Sequence, residues 1–355
     1  MSAVHYTVRH ETLYRYRRDV VHAHQQLHLT PRNSERQHCL LHRISVTPQP
    51  AVLAEYVDAF GNSVTRVELD RPHRRLQVVA EMDVRLDAQP AIEFEHGESW
   101  ERVRDDLCYN ARARDAQWLE AMRFRGESPY VRIKGAFGDY AHDCLRAGAS
   151  VAAVSEALMG KLWREFKYAP GSTEIATPLL EVLNKRSGVC QDFAHLMIAC
   201  LRSVGLSARY VSGYLRTYGA PSPAAAVTGD DADDEDDDED DDDDDDRAGN
   251  GAAEVAARGE RDDANSGARE GLAPRLRGSD ASHAWVAVFA PPFGWLGFDP
   301  TNNVRVNQDH VALAWGRDFG DVSPLRGVIL GGGSHKLRVR VAVRRVEESA
   351  RGTPA

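Results

Sequence analysis

Three residue types that together can carry out nucleophilic catalysis stand in three separate motifs of this chain. Cys190 lies in the motif RSGVCQDFAH, His283 in SHAW and Asp299 in FDPT. A cysteine thiolate can attack an acyl carbon, a histidine can move the protons, and a carboxylate can orient the histidine. The sequence therefore predicts a cysteine enzyme with a Cys-His-Asp triad.

The elements around Cys190 predict a nucleophile at the start of a helix. The preceding Gly188 is a turn former, and apolar residues then recur at three- and four-residue spacing until Gly205, which is typical of a helix end: Phe193, Leu196, Met197, Cys200, Leu201 and Val204. The positive end of a helix favours a thiolate, and its unpaired N–H groups can hold an oxyanion. We interpret the other cysteines as structural: Cys39, Cys108, Cys144 and Cys200.

The other two motifs flank a predicted β-hairpin. Residues 208–215 and 283–289 are rich in strand formers, and the turn 291–294 separates the second run from a short strand at 295–298. His283 opens one arm of this hairpin and Asp299 closes the other, so both are expected at the same end. His195 is the rival base, but it lies five residues after Cys190, about 140° around the same helix, and should point away.

These motifs resemble the transglutaminase-like superfamily of cysteine enzymes, and more narrowly its bacterial branch with a β-rich N-terminal domain. The core resemblance runs from residue 168 to 303. Further matches are YTVRHET (6–12), LTPR (29–32), DAFGN (58–62) and the tail motif GRDFGDVSP (316–324). The resemblance implies that Cys190, His283 and Asp299 are the triad. It does not fix the reaction, because the superfamily includes crosslinkers, proteases, amidases and inactive members.

The predicted fold class is α+β. Residues 1–90 read as an all-β N-terminal domain built from short strands, of which the first two are 6–16 and 20–29. Residues 91–346 read as a helical segment followed by a papain-like, transglutaminase-like core, in which the nucleophile helix packs on an antiparallel sheet. Residues 347–355 read as a flexible tail. The final strand pattern, 336–346, can pair with either domain, and the sequence leaves both options open.

One block of the chain carries most of its negative charge. Residues 230–246 contain 16 acidic side chains in 17 positions, and without them the formal net charge changes from −10 to a slightly positive value. We interpret the wider segment 221–279 as a disordered acidic insertion, since it is too polar to form a core. A calcium site is the alternative, but unbroken aspartates lack the spacing of a calcium loop. The N-terminal histidines lack acidic or cysteine partners, so we predict no metal site.

Composition also limits compartment and partners. We find no apolar stretch long enough to span a membrane and no signal segment before the first strand pattern. Five cysteines without a framework spacing indicate reduced thiols, so we predict a cytoplasmic location. We expect neither a nucleic-acid nor a membrane partner, and the oligomeric state stays open.

The predicted reaction is acyl transfer through a thioester, on a peptide, isopeptide or glutamine-type amide of a peptide or protein substrate, with no cofactor. Hydrolysis is favoured over transamidation, because water is the default acceptor and no motif marks an amine site. The resemblance places Tyr168 where related enzymes carry an oxyanion or substrate-facing residue, and Gln191 and Trp285 are further candidates. Trp285 can equally belong to the hairpin core. A catalytically silent peptide-binding module on the same fold is the alternative function.

Overall fold

The computed structural model describes residues 3–108, 115–217, 276–278 and 282–346. Its first part is strand-rich, as predicted. The strands are β1 (Val4–Leu27), β2 (Gln37–Thr47), β3 (Val52–Val57), β4 (Ser63–Leu69) and β5 (His73–Leu86). Alternating residues of β4 and β5 are buried, so each strand gives one face to a core and the other to solvent.

Helices follow, with two 3-10 turns at Phe94–His96 and His142–Cys144. The elements are α1 (Trp100–Asp106), α2 (Ala116–Met122), α3 (Gly135–Ala141), α4 (Val151–Glu165), β6 (Lys167–Tyr168), α5 (Leu179–Lys185), β7 (Ser187–Gly188) and α6 (Cys190–Ser203). The helix predicted after Cys190 is α6, and it is buried over almost its whole length. It ends as predicted at Gly205, where φ is 84° and the Leu206 N–H donates to the Leu201 carbonyl.

A second sheet carries α6 on one face. It contains β8 (Ala208–Leu215), β9 (His283–Phe289), β10 (Trp295–Asp299), β11 (Val304–Arg305) and β12 (His310–Gly316), in the order β11-β10-β9-β8-β12, and the short helix α7 (Phe319–Val322) follows. All its pairings are antiparallel, and β9 and β10 form the predicted hairpin. The central strands β8 and β9 are buried throughout, and α6 covers one of their two faces.

The last two strands join the first sheet rather than the second. Strands β13 (Leu325–Gly331) and β14 (His335–Arg345) both pair antiparallel with β1 and complete a seven-stranded sheet. The sequence-based division at residue 90 had assigned these strands to the second unit. The structure differs because β14 pairs with β1, and its alternating apolar residues pack into the core of the first sheet. Val343 is fully buried there. This pairing resolves the alternative that the sequence had left open.

Strand β1 differs from the sequence-based prediction of two strands in this region. It is one strand of 24 residues with an irregular register between Arg15 and Val20. The N–H groups of Arg17 and Arg18 donate there to the Ser334 and Gly332 carbonyls of the turn between β13 and β14. The bend therefore keeps its backbone hydrogen bonds and does not interrupt the strand.

A polar cluster around the buried Asn62, which we call the interdomain cluster, connects the two sheets. It consists of Arg32, Asp58, Asn62 and Trp315. The Asn62 side chain accepts from Arg32 Nη1 (2.8 Å) and Trp315 N (3.0 Å), and it donates to Asp58 Oδ2 (2.8 Å) and the Trp315 carbonyl (2.9 Å). The Arg32 guanidinium lies 3.5 Å above the Trp315 ring. Two motifs that carry the family resemblance, LTPR and DAFGN, thus hold the domains together.

Candidate active site

Cys190 is the first residue of α6, and a fixed turn presents it. The backbone of Tyr168 pairs with that of Gly188, and the Ala169 N–H donates to the Gly188 carbonyl at 2.9 Å. A Cβ at position 188 would lie 2.6 Å from Asp192 Oδ2, so only glycine fits this turn without a shift. Asp192 in turn accepts from the Val189 N–H at 2.8 Å. The start of the helix is therefore held on both sides.

The five cysteines of the chain differ in exposure. Cys190 is partly exposed, whereas Cys144 and Cys200 are buried. Burial raises the pKa of both buried thiols, which therefore stay protonated and unreactive. Cys39 is partly exposed and Cys108 exposed. The interpretation of Cys200 as a core residue agrees with its position.

His283 and Asp299 lie together at one end of the hairpin, with no exposed side-chain surface. His283 Nε2 donates to Asp299 Oδ2 at 2.9 Å. Burial alone would disfavour the imidazolium, but the Asp299 charge and hydrogen bond outweigh it and raise the pKa of His283. Burial likewise disfavours the carboxylate, and the His283 charge outweighs that cost and lowers the pKa of Asp299. Together they form a buried ion pair.

The second ring nitrogen of His283 faces the cysteine. Among the described residues, Nδ1 has no partner within ordinary hydrogen-bond geometry. Cys190 interacts with the same imidazole and adds to the rise of its pKa. With Nε2 bonded to the carboxylate, Nδ1 is the nitrogen that can exchange a proton with the thiol. The structure therefore brings the three predicted residues into one cluster.

Asp299 is fixed by donors other than His283. Oδ1 accepts from the N–H groups of Thr301 (3.0 Å) and Asn302 (3.2 Å). Oδ2 accepts from Asn302 Nδ2 (2.8 Å) and from His310 Nε2 (3.4 Å). Thr301 and Asn302 follow Asp299 after one proline, so the sequence signal for them was the motif itself. The sequence analysis did not identify His310, because nothing in the sequence distinguishes a functional histidine at the start of a strand from a structural one.

A short strap, Leu276–Gly278, lies against the imidazole. It is bonded to Asn302 in both directions: the Arg277 N–H donates to Asn302 Oδ1 (2.7 Å), and Asn302 Nδ2 donates to the Arg277 carbonyl (3.2 Å). A Cβ on Gly278 would lie 2.7 Å from His283 Nδ1, and φ is 83°. Glycine is therefore the residue that this approach requires. The predicted insertion 221–279 lies otherwise outside the described residues, but this part of it has a definite place.

The three further candidates differ in position. Tyr168 is half-buried beside the nucleophile turn, through its pairing with Gly188. Gln191 is half-buried, and its Nε2 lies 3.5 Å from the Ile175 carbonyl. Trp285 is only 3% exposed and packs edge-on against His310, with ring centroids 5.3 Å apart. Of the two alternatives for Trp285, the structure shows the hairpin core and not a cleft wall.

His195, the rival base, has a different environment from His283. Its Nε2 accepts the Phe319 N–H at 3.0 Å, and its ring stacks on Tyr130. Burial, aided by the Arg202 charge, lowers the pKa of His195 to about 3. A neutral ring that is already hydrogen-bonded in the core cannot serve Cys190 as a base. Among the described residues, no three His, Cys, Asp or Glu side chains are arranged so that they could hold a metal ion.

Comparison with known proteins agrees with this fold. Residues 6–85 match the bacterial transglutaminase-like N-terminal region, and residues 139–300 match the transglutaminase-like superfamily. An uncharacterized protein of Mycobacterium tuberculosis is 33% identical over 93% of this chain and 89% of its own length. One of Mycobacterium leprae is 27% identical over 95% of this chain and 97% of its own. A candidate cysteine protease of Cytophaga hutchinsonii has the same fold, with a TM-score of 0.68, 17% identity, and coverage of 98% of this chain and 93% of that one.

The chain therefore belongs to the transglutaminase-like superfamily and carries that superfamily's bacterial N-terminal region. This confirms the predicted family and the predicted combination of an all-β N-terminal domain with a papain-like core. Within the described ranges, no helix has the length and apolarity needed to cross a bilayer. Membership in this superfamily supports a cysteine-dependent enzyme.

Proposed function

We propose that this protein is an acyl-transfer enzyme in which Cys190 is the nucleophile, His283 the general acid and base, and Asp299 the residue that orients His283. The observation that carries this proposal is the position of His283. Its Nε2 is bonded to the buried carboxylate at 2.9 Å, and its Nδ1 is left for the thiol at the start of α6. Each group thus has the place that its role requires.

The first half-reaction forms a thioester. The Cys190 thiolate attacks the carbonyl carbon of a peptide, isopeptide or glutamine-type amide, and the new C–S bond leaves a negative charge on the carbonyl oxygen. The Cys190 N–H, in the first helical turn, is placed to hold that charge, and Tyr168 lies beside the same turn. His283 then gives its proton to the amine as the C–N bond breaks.

The second half-reaction releases the acyl group. Water attacks the thioester carbonyl while His283 takes its proton, and the C–S bond breaks to return the Cys190 thiolate and the imidazolium. An amine can replace water and form a new amide. Hydrolysis is the preferred outcome, because water is always present and no amine-binding group stands out near the site among the residues that the structure describes. We place the enzyme in the cytoplasm, where its free cysteines stay reduced.

The proposal can be tested without a known substrate. Iodoacetamide at neutral pH should modify Cys190 well before Cys39, which is partly exposed, and Cys108, which is exposed. Mass spectrometry of the digested protein measures all the rates in one sample. Equal rates for these three cysteines would contradict an activated thiol and favour the silent binding module.

A second experiment separates the two reactions. Peptides with a glutamine side chain or an isopeptide bond are offered with and without a primary amine, and the products are identified by mass. Release of ammonia or amine alone indicates hydrolysis, and a new amide indicates transamidation. The Cys190→Ala variant is the control, and it should give neither product.

A further inference from the structure

Asp299 lies between two histidines, and the proposed mechanism uses only one of them. His310 is the first residue of β12 and is 3% exposed. Its Nε2 is 3.4 Å from Asp299 Oδ2, the same oxygen that accepts from His283. A hydrogen bond to an ionised carboxylate is stronger than one between neutral groups. His310 therefore contacts the group that orients the proposed base.

The position of the His310 ring is held by its other neighbours. The Asn307 N–H lies 3.4 Å from His310 Nδ1, and Asn307 Oδ1 lies 3.2 Å from the same nitrogen. Because an ionised carboxylate only accepts hydrogen bonds, His310 Nε2 is the donor in the contact with Asp299. The Trp285 ring packs edge-on against the imidazole at 5.3 Å and limits its rotation.

The loop that carries His310 is anchored to the N-terminal domain. Gln308 Nε2 donates to the Leu86 carbonyl at 3.0 Å, and Tyr6 Oη donates to Asp309 Oδ1 at 3.0 Å. The Asp309 N–H donates to Asn307 Oδ1 at 2.8 Å, within the same loop. A continuous series of contacts thus runs from β1 and β5 to Asp299.

We propose that His310 is a positioning residue that holds Asp299 against His283, and that the N-terminal domain sets the place of His310. This inference rests on the proposed function of the same site. His310 touches neither Cys190 nor a reacting atom, and it acts only through the carboxylate. The hydrogen bond from His310 also opposes protonation of Asp299, in the direction that lowers the pKa of that residue. The N-terminal domain of this protein thereby contributes to catalysis through the position of His310.

Two matched variants test the role of the donor. Gln and Met have nearly the same length, but only Gln can donate a hydrogen bond to Asp299. His310→Gln should keep the iodoacetamide rate of Cys190 within about twofold of the wild-type protein, and His310→Met should lower it about tenfold, the size expected for losing one hydrogen bond to a charged group. The Nε2 proton of His283 in the ¹H NMR spectrum should persist in the Gln variant and shift in the Met variant.

The outcomes separate this inference from the proposed function. If wild-type Cys190 reacts no faster than Cys108, the proposed function fails. If wild-type Cys190 is fast but the Gln and Met variants label at equal rates, only the role of His310 fails. Should both variants misfold by circular dichroism, Tyr6→Phe removes the outer anchor instead. It should slow Cys190 labelling about two- to threefold, and an unchanged rate overturns the link to the N-terminal domain.

Discussion

Two polar clusters carry the family motifs of this protein, and they differ in how fully their hydrogen bonds are satisfied. In the interdomain cluster, all the hydrogen-bonding groups of the Asn62 amide have protein partners. In the cluster around Asp299, His283 Nδ1 has no ordinary partner among the described residues and faces a partly exposed thiol. A complete network stabilises a fold, whereas an incomplete one beside a nucleophile leaves an atom free for chemistry.

Removing His283 should give the largest effect on chemistry. His283→Ala removes the group that takes and returns the proton, so turnover should fall by about 10²–10⁴-fold. Labelling of Cys190 by iodoacetamide should fall to the rate of Cys108. The control is His195→Gln, which keeps an acceptor for the Phe319 N–H and should leave the labelling rate unchanged. A fast Cys190 in His283→Ala would contradict the triad.

Asp299→Asn should impair both reactivity and folding. The carboxylate accepts on both oxygens, and an asparagine must place an NH₂ group against donors at one of those positions. Turnover should fall by at least about 10²-fold, and the free energy of unfolding by about 1–3 kcal/mol. Substrate kinetics and urea unfolding measure the two effects. Full activity in this variant would show that His283 is oriented by other groups.

Asn62→Ala should lower the stability of the fold without changing the reactivity of Cys190. It removes the Asn62 partner of half-buried groups on Arg32, Asp58 and Trp315, which should lower the free energy of unfolding by about 1–3 kcal/mol. Cys190 labelling, measured at a temperature where the variant is folded, should match the wild-type rate. Asn33→Ala, on the exposed surface, is the matched control and should cost less than about 1 kcal/mol. A large change in labelling with Asn62→Ala would show that the two clusters are coupled.

Mild acid should destabilise the folded protein through histidines outside the proposed site. Burial lowers the pKa of His10 to about 4 and, with the Arg202 charge, that of His195 to about 3. Below about pH 6.5 the unfolded chain binds protons at these two positions and the folded chain does not. The free energy of unfolding therefore decreases as the pH is lowered. Because the pKa of His283 is raised in the folded protein, its contribution to stability is complete below about pH 6.5. That contribution is lost as the pH rises from there to alkaline values.

The expected size of the acid effect is about 2 kcal/mol for each of these histidines at pH 5. Thermal unfolding at pH 7 and pH 5 measures it, and the melting temperature should fall by several degrees. His10→Gln and His195→Gln should each reduce this difference. A melting temperature that rises between pH 7 and pH 5 would show that other groups dominate.

Deleting residues 230–246 should have the smallest effect. These residues lie outside the described part of the chain, and the prediction of a disordered insertion there stays a prediction. Shortening a loop of this length changes the closure free energy by only about 0.3 kcal/mol, so melting temperature and Cys190 labelling should be unchanged. Loss of both would contradict a dispensable segment, and their loss on adding EDTA to the intact protein would indicate a metal site.

The sequence predicted the site through local signals and failed where the deciding contact is distant. Spacing placed Cys190 at the start of α6, and strand patterns placed His283 and Asp299 at one end of a hairpin. His310 had no such signal, because its importance comes from an oxygen of Asp299 that only the folded sheet brings within 3.4 Å.

The fold shows the same limit. Alternation predicted the strands, but it could not show which sheet accepts β14, since β1 lies about 330 positions earlier in the chain. It also divided β1 in two, because the residues at the bend are charged and mimic a turn. Their backbone groups are in fact paired with the turn between β13 and β14, a partner that no local pattern reveals.

The strap at Gly278 makes the insertion a convenient place for protein engineering. The chain leaves β8 near Thr217 and returns at Leu276–Gly278, against His283. A test sequence built into residues 218–275 would be tethered to the site, and tethering makes its encounter with the site intramolecular. Libraries of candidate peptides encoded there could report their own cleavage by a change in mass. Each protein molecule would then contain both the enzyme and the peptide that it cleaves.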